Sequence, residues 1–146
     1  MAKPPVWRKN LDAYPHTVIV PPRYSDLDTM GHINNVAMAG IFETARIHFH
    51  HELGMHPQDH GVRWLVAAVD LAYVDEGHFP YDVEIGCGIG AIGNRSWQIL
   101  MAAFQKGVCV ATCDTVMVSK GPEGRSGIAD EMRAAMLNLS VMAPQG

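Results

Sequence analysis

Residues 24–46 read YSDLDTMGHINNVAMAGIFETAR, and the rest of the chain can be arranged around them. Asp26 and Asp28 lead through Gly31 and His32 into Asn34 and Asn35, a residue type that caps a helix start by accepting orphan backbone N–H groups. From Val36 the apolar residues fall at 38, 41, 42, 45, 49 and 53, which is helical spacing. Gly54 stands where such a helix ends, and Pro57 opposes its resumption. The pattern predicts a helix over 36–53, about 27 Å long. Its start brings free N–H groups and roughly half a positive charge beside a carboxylate and an imidazole. A carbonyl could be polarised and attacked there.

At 146 residues the chain is expected to form a single domain, 1–146, long enough to bury a real core. Hydrophobic residues make up 48% and charged ones 18%, the balance of a globular protein rather than a disordered one. A net charge of −4 argues against a nucleic-acid surface, so a polyanionic ligand would have to meet local Arg or Lys groups. No apolar run approaches the roughly 18 residues of a membrane span, and the first residues lack the apolar core of a signal peptide. Cys87, Cys109 and Cys113 are odd in number and without CxxC spacing, as expected of buried thiols in a reducing compartment. A cytoplasmic protein is the simplest expectation.

Residues 1–15 hold three prolines and no period, and read as a loose arm. The β-branched run 16–23 (HTVIVPPR) is a strand that Pro21 and Pro22 confine to an edge. Ala37, Ala39, Gly40 and Ala45 keep the helix slim and apolar on most sides, so other elements should wrap it. A first long strand is expected over 62–74. Tyr81–Ala91 alternates, with Val83, Ile85, Cys87 and Ile89 on one face and Glu84, Gly86, Gly88 and Gly90 on the other. Strands over 95–106 and 108–120 are apolar on both faces. Short turns between these runs predict an antiparallel meander. One helix covers one face of a sheet, so the second face of the last two strands is expected to meet another subunit. Residues 128–139 read as a short amphipathic helix.

This order resembles the hotdog fold: an α+β arrangement of a long central helix wrapped by an antiparallel sheet of about five strands, with a short C-terminal helix. The 24–46 stretch resembles the motif of the 4-hydroxybenzoyl-CoA thioesterase family, including YbgC-type acyl-CoA thioesterases. That motif is an aromatic, D-x-D-x-x-G, then a helix carrying E-x-x-R, here Tyr24, Asp26, Asp28, Gly31, Glu43 and Arg46. The stretch is similar also to the D-x-N-x-H segment of plant acyl-carrier-protein thioesterases, matched at Asp28 and His32, with Met30 at the asparagine position. Met38 stands where the family often has tyrosine.

The resemblance implies hydrolysis of an acyl-CoA to a free acid and coenzyme A, with Asp28 as general base or nucleophile. It implies too that the backbone N–H at Asn35 contacts the thioester oxygen, that a dimer or tetramer places the site at a subunit interface, and that no metal or cofactor is bound. An acyl-carrier-protein thioesterase and a non-catalytic acyl-thioester binding protein are the alternatives. His32 is either a residue that orients substrate or water, or an ordinary loop histidine. Tyr24, Gly31, Asn34 and Glu43 join the candidate substrate site, though Glu43 and Arg46, three apart, can simply pair along the helix. Arg95 and Lys120, at expected strand ends, are the candidates for the phosphates of coenzyme A.

Three other patterns carry less. Gly88, Gly90 and Gly93 satisfy G-x-G-x-x-G but lie in a strand pattern leading into another strand, where a dinucleotide site needs a helix. Close backbone approach or a bulge suits them better. His48, His50, His51, His56 and His60 suggest a metal, yet His51 and His56 miss H-E-x-x-H spacing by one residue. A solvated, histidine-rich helix end is the expectation. No G-x-S-x-G nucleophile elbow is present.

Overall fold

The computed structural model describes residues 3–56, 63–121 and 127–144. The long helix, α1 (Asn35–Glu52), begins and ends one residue earlier than its periodicity predicts. Asn34 caps it, its side chain accepting the Ala37 N–H at 2.8 Å. Gly54 leaves the helix in the left-handed region at φ 79°, a conformation glycine adopts without a Cβ penalty. Phe42, Ala45 and Phe49 are wholly buried on one face, with Met38 and Ile41 nearly so. Full burial of a large apolar side chain stabilises by roughly 1.5–3 kcal/mol, so this stripe fastens α1 to the sheet. The opposite side, including Val36, Glu43 and Ile47, remains exposed.

That sheet has five strands: β1 (His16–Val20), β2 (Arg63–Tyr73), β3 (Val83–Ile92), β4 (Ser96–Gln105) and β5 (Val108–Lys120). Their order is β1-β3-β4-β5-β2, every neighbour antiparallel. The expected meander therefore holds only for β3-β4-β5. β2 lies beside β5 instead of β3, in register from Arg63 opposite Lys120 to Tyr73 opposite Ala111. The physical reason is the connection 74–82, which is too long for a tight hairpin and is anchored on β5, where Val110 O accepts from Val74 N and Asp75 N. β1 takes the edge of β3 and stops before Pro21, as the prolines require. A short helix, α2 (Asp130–Asn138), buries Met136. Long helix, antiparallel sheet and short C-terminal helix make the α+β hotdog arrangement. No helix among the described residues is long and apolar enough to cross a membrane.

One expectation fails outright. Residues 3–15 are not loose: two 3-10 turns, Val6–Lys9 and Leu11–Ala13, lie across the face of the sheet that α1 leaves open. Ala13 and Tyr14 are buried there with Leu100, Ala102, Phe104 and Cys109. So the arm, rather than a second subunit, covers this part of the apolar second face. The strand glycines admit it. A Cβ on Gly86 would sit 2.7 Å from the Tyr14 ring, and one on Gly88 2.5 Å from Val141. The pairing of β3 with β4 also shifts between Ile89 and Ile92, so the glycine run serves both close approach and a bulge.

Arg8 pins the arm. Its guanidinium donates to Asp114 Oδ1 at 2.6 Å, Met101 O at 3.1 Å and Tyr14 Oη at 2.9 Å. Arg8→Leu would keep apolar bulk but strand these acceptors in a partly dry site. We expect a loss of about 2–3 kcal/mol, read as a lower urea midpoint with unchanged slope.

Candidate active site

The chain between β1 and α1 folds into two consecutive carboxylate-centred turns. In the first, a 3-10 turn over Tyr24–Asp26, buried Asp26 accepts Arg23 N at 2.8 Å and the Arg23 guanidinium at 2.9 and 3.2 Å. Burial alone would raise the Asp26 carboxyl, but the hydrogen bonds from the Arg23 backbone and side chain, with its charge, hold it below the usual range. Asn34 N then donates to Asp26 O at 2.9 Å, which ties this turn to the helix cap. Asp26 shapes the loop.

Asp28 organises the second turn and remains exposed. Its Oδ1 accepts Met30 N at 2.9 Å and His32 N at 3.1 Å, an Asx-type turn. Its backbone closes the loop, N to His32 O at 2.8 Å and O from Gly31 N at 3.1 Å. Gly31, at φ 80°, takes the left-handed position the reversal needs. No described residue hydrogen-bonds Oδ2, so one oxygen builds the turn and the other has no protein partner among them. At the adjoining helix start, Asn34 Oδ1 and O satisfy the N–H groups of Ala37 and Met38. Those of Asn35 and Val36 have no partner among the described residues. Two free donors and the helix dipole thus lie just past a half-engaged carboxylate.

The segment 73–79, the end of the expected strand over 62–74 and the connection after it, forms the other wall. Tyr73 Oη donates to Asn35 O at 2.9 Å, and Ile33 N donates to Gly77 O at 2.8 Å. Glu76 Oε2 lies 3.2 Å from His32 Nε2, and the His78 ring stands perpendicular to His32 at 5.3 Å. Tyr24, largely exposed, meets the edge of Phe79 at 5.8 Å. The backbone of His78 is clamped by buried Gln105, whose Oε1 accepts His78 N at 2.8 Å while Nε2 donates to His78 O at 2.7 Å. The density of titratable residues in Asp75-Glu76-Gly77-His78 was the available signal. The pairing of β2 with β5, which delivers this loop to the helix start, was not visible in the residues themselves.

The remaining candidates divide. Tyr24, Asp28, Gly31, His32, Asn34 and Asn35 come together. Glu43 lies about 12 Å further along α1, on its exposed side. It pairs at 3.8 Å with Arg46, which is buried and donates to Thr115 Oγ1 at 3.4 Å. Arg95 and Lys120 sit at the opposite end of β5: Ser119 N donates to Arg95 O, and Lys120 pairs with Arg63. Nine residues of strand, about 30 Å, separate Lys120 from Ala111, which is beside Tyr73. A cleft of about 620 Å³ opens between the end of β1 and α1, lined by Arg23, Asp26, Asn34, Ala37, Gly40 and Thr44 among others. Asp28 and His32 border the turn rather than this cleft. The histidine-rich helix end is not wholly solvated, since His50 is buried against Trp64 and Trp97. His48, His51 and His56 are exposed, and His60 lies outside the described residues.

Comparison with solved structures agrees with this architecture. The chain is similar to the PA5185 protein of Pseudomonas aeruginosa, 28% identical over 93% of this chain and 99% of that one, with a TM-score of 0.84. It is similar to a predicted thioesterase from Bacillus stearothermophilus, 28% identical over 88% and 98%, TM-score 0.77. It shares its fold with a Thermus thermophilus thioesterase described as complexed with coenzyme A and zinc, 22% identical over 86% and 95%, TM-score 0.76. No curated protein matches the sequence. The model of the thioesterase-like superfamily matches residues 22–137, from just before the first carboxylate turn to the end of α2. With that match spanning most of its length, this hotdog-fold chain belongs to the thioesterase-like superfamily.

Proposed function

We propose that the protein hydrolyses acyl-CoA thioesters to a free acid and coenzyme A. The observation that carries this reading is the division of labour in Asp28: Oδ1 is held by two backbone N–H groups while Oδ2 is left without a protein partner. Oδ2 takes the proton of the attacking water, or attacks the thioester carbon itself. The N–H groups of Asn35 and Val36 receive the oxyanion, helped by the helix dipole. Kinship with the thioesterase-like superfamily supports the reaction class, and the Thermus thermophilus structure described as a coenzyme A complex supports the carrier. The test is release of free thiol from a panel of acyl-CoA and acyl-carrier-protein substrates. Turnover of acyl-CoA is expected. Turnover confined to the carrier protein would change the substrate, and binding without turnover would refute hydrolysis.

Coenzyme A is polyanionic, and the site is itself acidic. Asp26, Asp28, Asp75 and Glu76 surround it, and the nearby Arg23 is engaged by Asp26. Arg95 and Lys120 are too distant within one chain to reach this turn. A second copy resolves the conflict. β2 is an edge strand of 11 residues with no partner on its outer side among the described residues, and Leu65, Val66, Val69 and Tyr73 along it are each 45–53% accessible. Such an edge invites pairing. Two copies paired antiparallel about Ala68, the middle of β2, would set Arg63 of one beside Tyr73 of the other, with Lys120 one strand further in. The two cations would then flank a site whose carboxylate belongs to the other copy. The minimal assembly is a dimer, compatible with a tetramer of two paired dimers.

Mixing subunits tests this. Asp28→Asn alone and the double variant Arg63→Glu/Lys120→Glu alone should each be poor on acyl-CoA. Their mixture should regain roughly a quarter of wild-type turnover, because half the dimers hold one intact site. A site built within one chain regains nothing, and a stable monomer by light scattering would end the argument.

A further inference from the structure

We propose that Glu76 is a positioning residue for His32, holding the imidazole as its Nε2–H tautomer so that Nδ1 is the nitrogen presented to water or substrate. This inference rests on the thioester-hydrolase reading above.

A neutral imidazole carries one N–H, and the partner of one nitrogen decides the role of the other. His32 Nε2 and Glu76 Oε2 are 3.2 Å apart, so the carboxylate's charge falls on that nitrogen. A carboxylate can only accept, so its charge favours the hydrogen on Nε2 and leaves the lone pair on Nδ1. Among the described residues, the charged and titratable groups facing this ring are Asp28 in its own turn, Glu76, and His78 crossing it at right angles. Both of the last two come from the same loop.

That loop is built to hold a position. Val74 N and Asp75 N both donate to Val110 O on β5, and Glu76 N donates to Asp75 Oδ1 at 2.8 Å. Gly77 O accepts Ile33 N from the catalytic turn, and a Cβ on Gly77 would meet Ile33 Cδ1 at 3.0 Å. Gln105 on β4 grips the next residue from both sides. The backbone that carries Glu76 is thus placed by two sheet strands and by the turn it serves. Its side chain is 60% exposed, and an ion pair that accessible adds little to stability. The construction makes sense for orientation: the arrangement is base, then orienter, on a loop fixed from behind.

Three variants and one spectrum test it. Glu76→Leu removes the acceptor, whereas Glu76→Gln keeps an amide oxygen at nearly the same place. In ¹⁵N-histidine-labelled protein, wild-type His32 should show a single Nε2–H tautomer. Glu76→Leu should show a mixture, and Glu76→Gln should restore most of the original signal. On acyl-CoA, Glu76→Leu should lower kcat on the order of tenfold or more with KM little changed, and Glu76→Gln should recover much of it. In a His32→Gln background, Glu76→Leu should add nothing. Wild-type His32 in the Nδ1–H form, or a Glu76→Leu protein with tautomer and kcat intact, overturns the proposal. The spectrum needs no turnover, so a protein inactive on every thioester would remove the hydrolase reading while the tautomer shift still supported the role of Glu76.

Discussion

Asp28→Asn is expected to lower kcat by on the order of 10²–10⁴, about 3–5 kcal/mol of barrier, while leaving the turn standing. The geometry makes the substitution unusually clean. An asparagine carbonyl can occupy the Oδ1 position and keep accepting Met30 N and His32 N, so only the oxygen with no protein partner is exchanged for an amide nitrogen. The control is Asp26→Asn, two residues away. There the carboxylate is buried and spent on Arg23, so melting temperature should fall while kcat per folded molecule holds. Equal losses of kcat in the two variants would remove Asp28 from the chemistry. A single turnover in ¹⁸O water on excess enzyme then separates the two roles. Label in the Asp28 carboxylate indicates an acyl-enzyme anhydride, and label only in the product acid indicates an activated water.

A comparable effect, on stability, is expected at His50. The ring is 1% exposed at the end of α1, packed between Trp64 and Trp97, and neither nitrogen has a hydrogen-bond partner among the described residues. Burial, with Arg46 and His51 adding like charge, pushes its pKa down to about 4 from an ordinary value of 6.5. Between those values the unfolded chain binds the proton and the folded one refuses it. Stability is therefore complete above about pH 6.5, falls as pH drops, and has lost about 3 kcal/mol from this residue near pH 4. Urea titrations from pH 7 to 4 on wild type and His50→Phe provide the measurement. The phenylalanine variant should show a shallower pH slope and equal or better stability at pH 7, since it also removes two unpaired polar atoms. Identical slopes would mean that His50 takes up its proton alike in the folded and unfolded chain.

The sequence was readable where the determinants are local. Asn34, the apolar period from 38 to 53 and Gly54 specify α1 almost to the residue because capping, periodicity and a left-handed exit all act within a few positions. The Asp28–Gly31–His32 turn was legible for the same reason, as was the edge position of β1 before its prolines. Non-local pairing was not. Nothing in the alternation of β2 says whether it lies beside β3 or β5, since pairing partners are set by contacts far away in the chain. That single ambiguity concealed Tyr73 and Glu76, which reach the helix start only because β2 ends there. The arm was misread for a different reason: prolines suggested looseness, while the glycines that receive it sit more than 70 residues away. The burial of His50 was misread because it was grouped with its neighbours as solvated, and the histidines at 48 and 51 do face solvent.

The two borders of the sheet are unequal, and this limits how molecules can be added to it. β1 offers only five residues before Pro21, and beyond its start the rim of β3 is closed by residues 139–141, which exchange hydrogen bonds with Ile89. β2 offers 11. A ribbon with two long open borders could grow without end by stacking copy upon copy, the geometry of a fibre. One with a single open border has a valence of one: the first partner consumes it, and the joined ribbon ends on both sides in short, proline-stopped strands. Lengthening β1 by replacing Pro21 and Pro22 would give the chain a second valence, and with it a route to polymerisation that the present sequence denies.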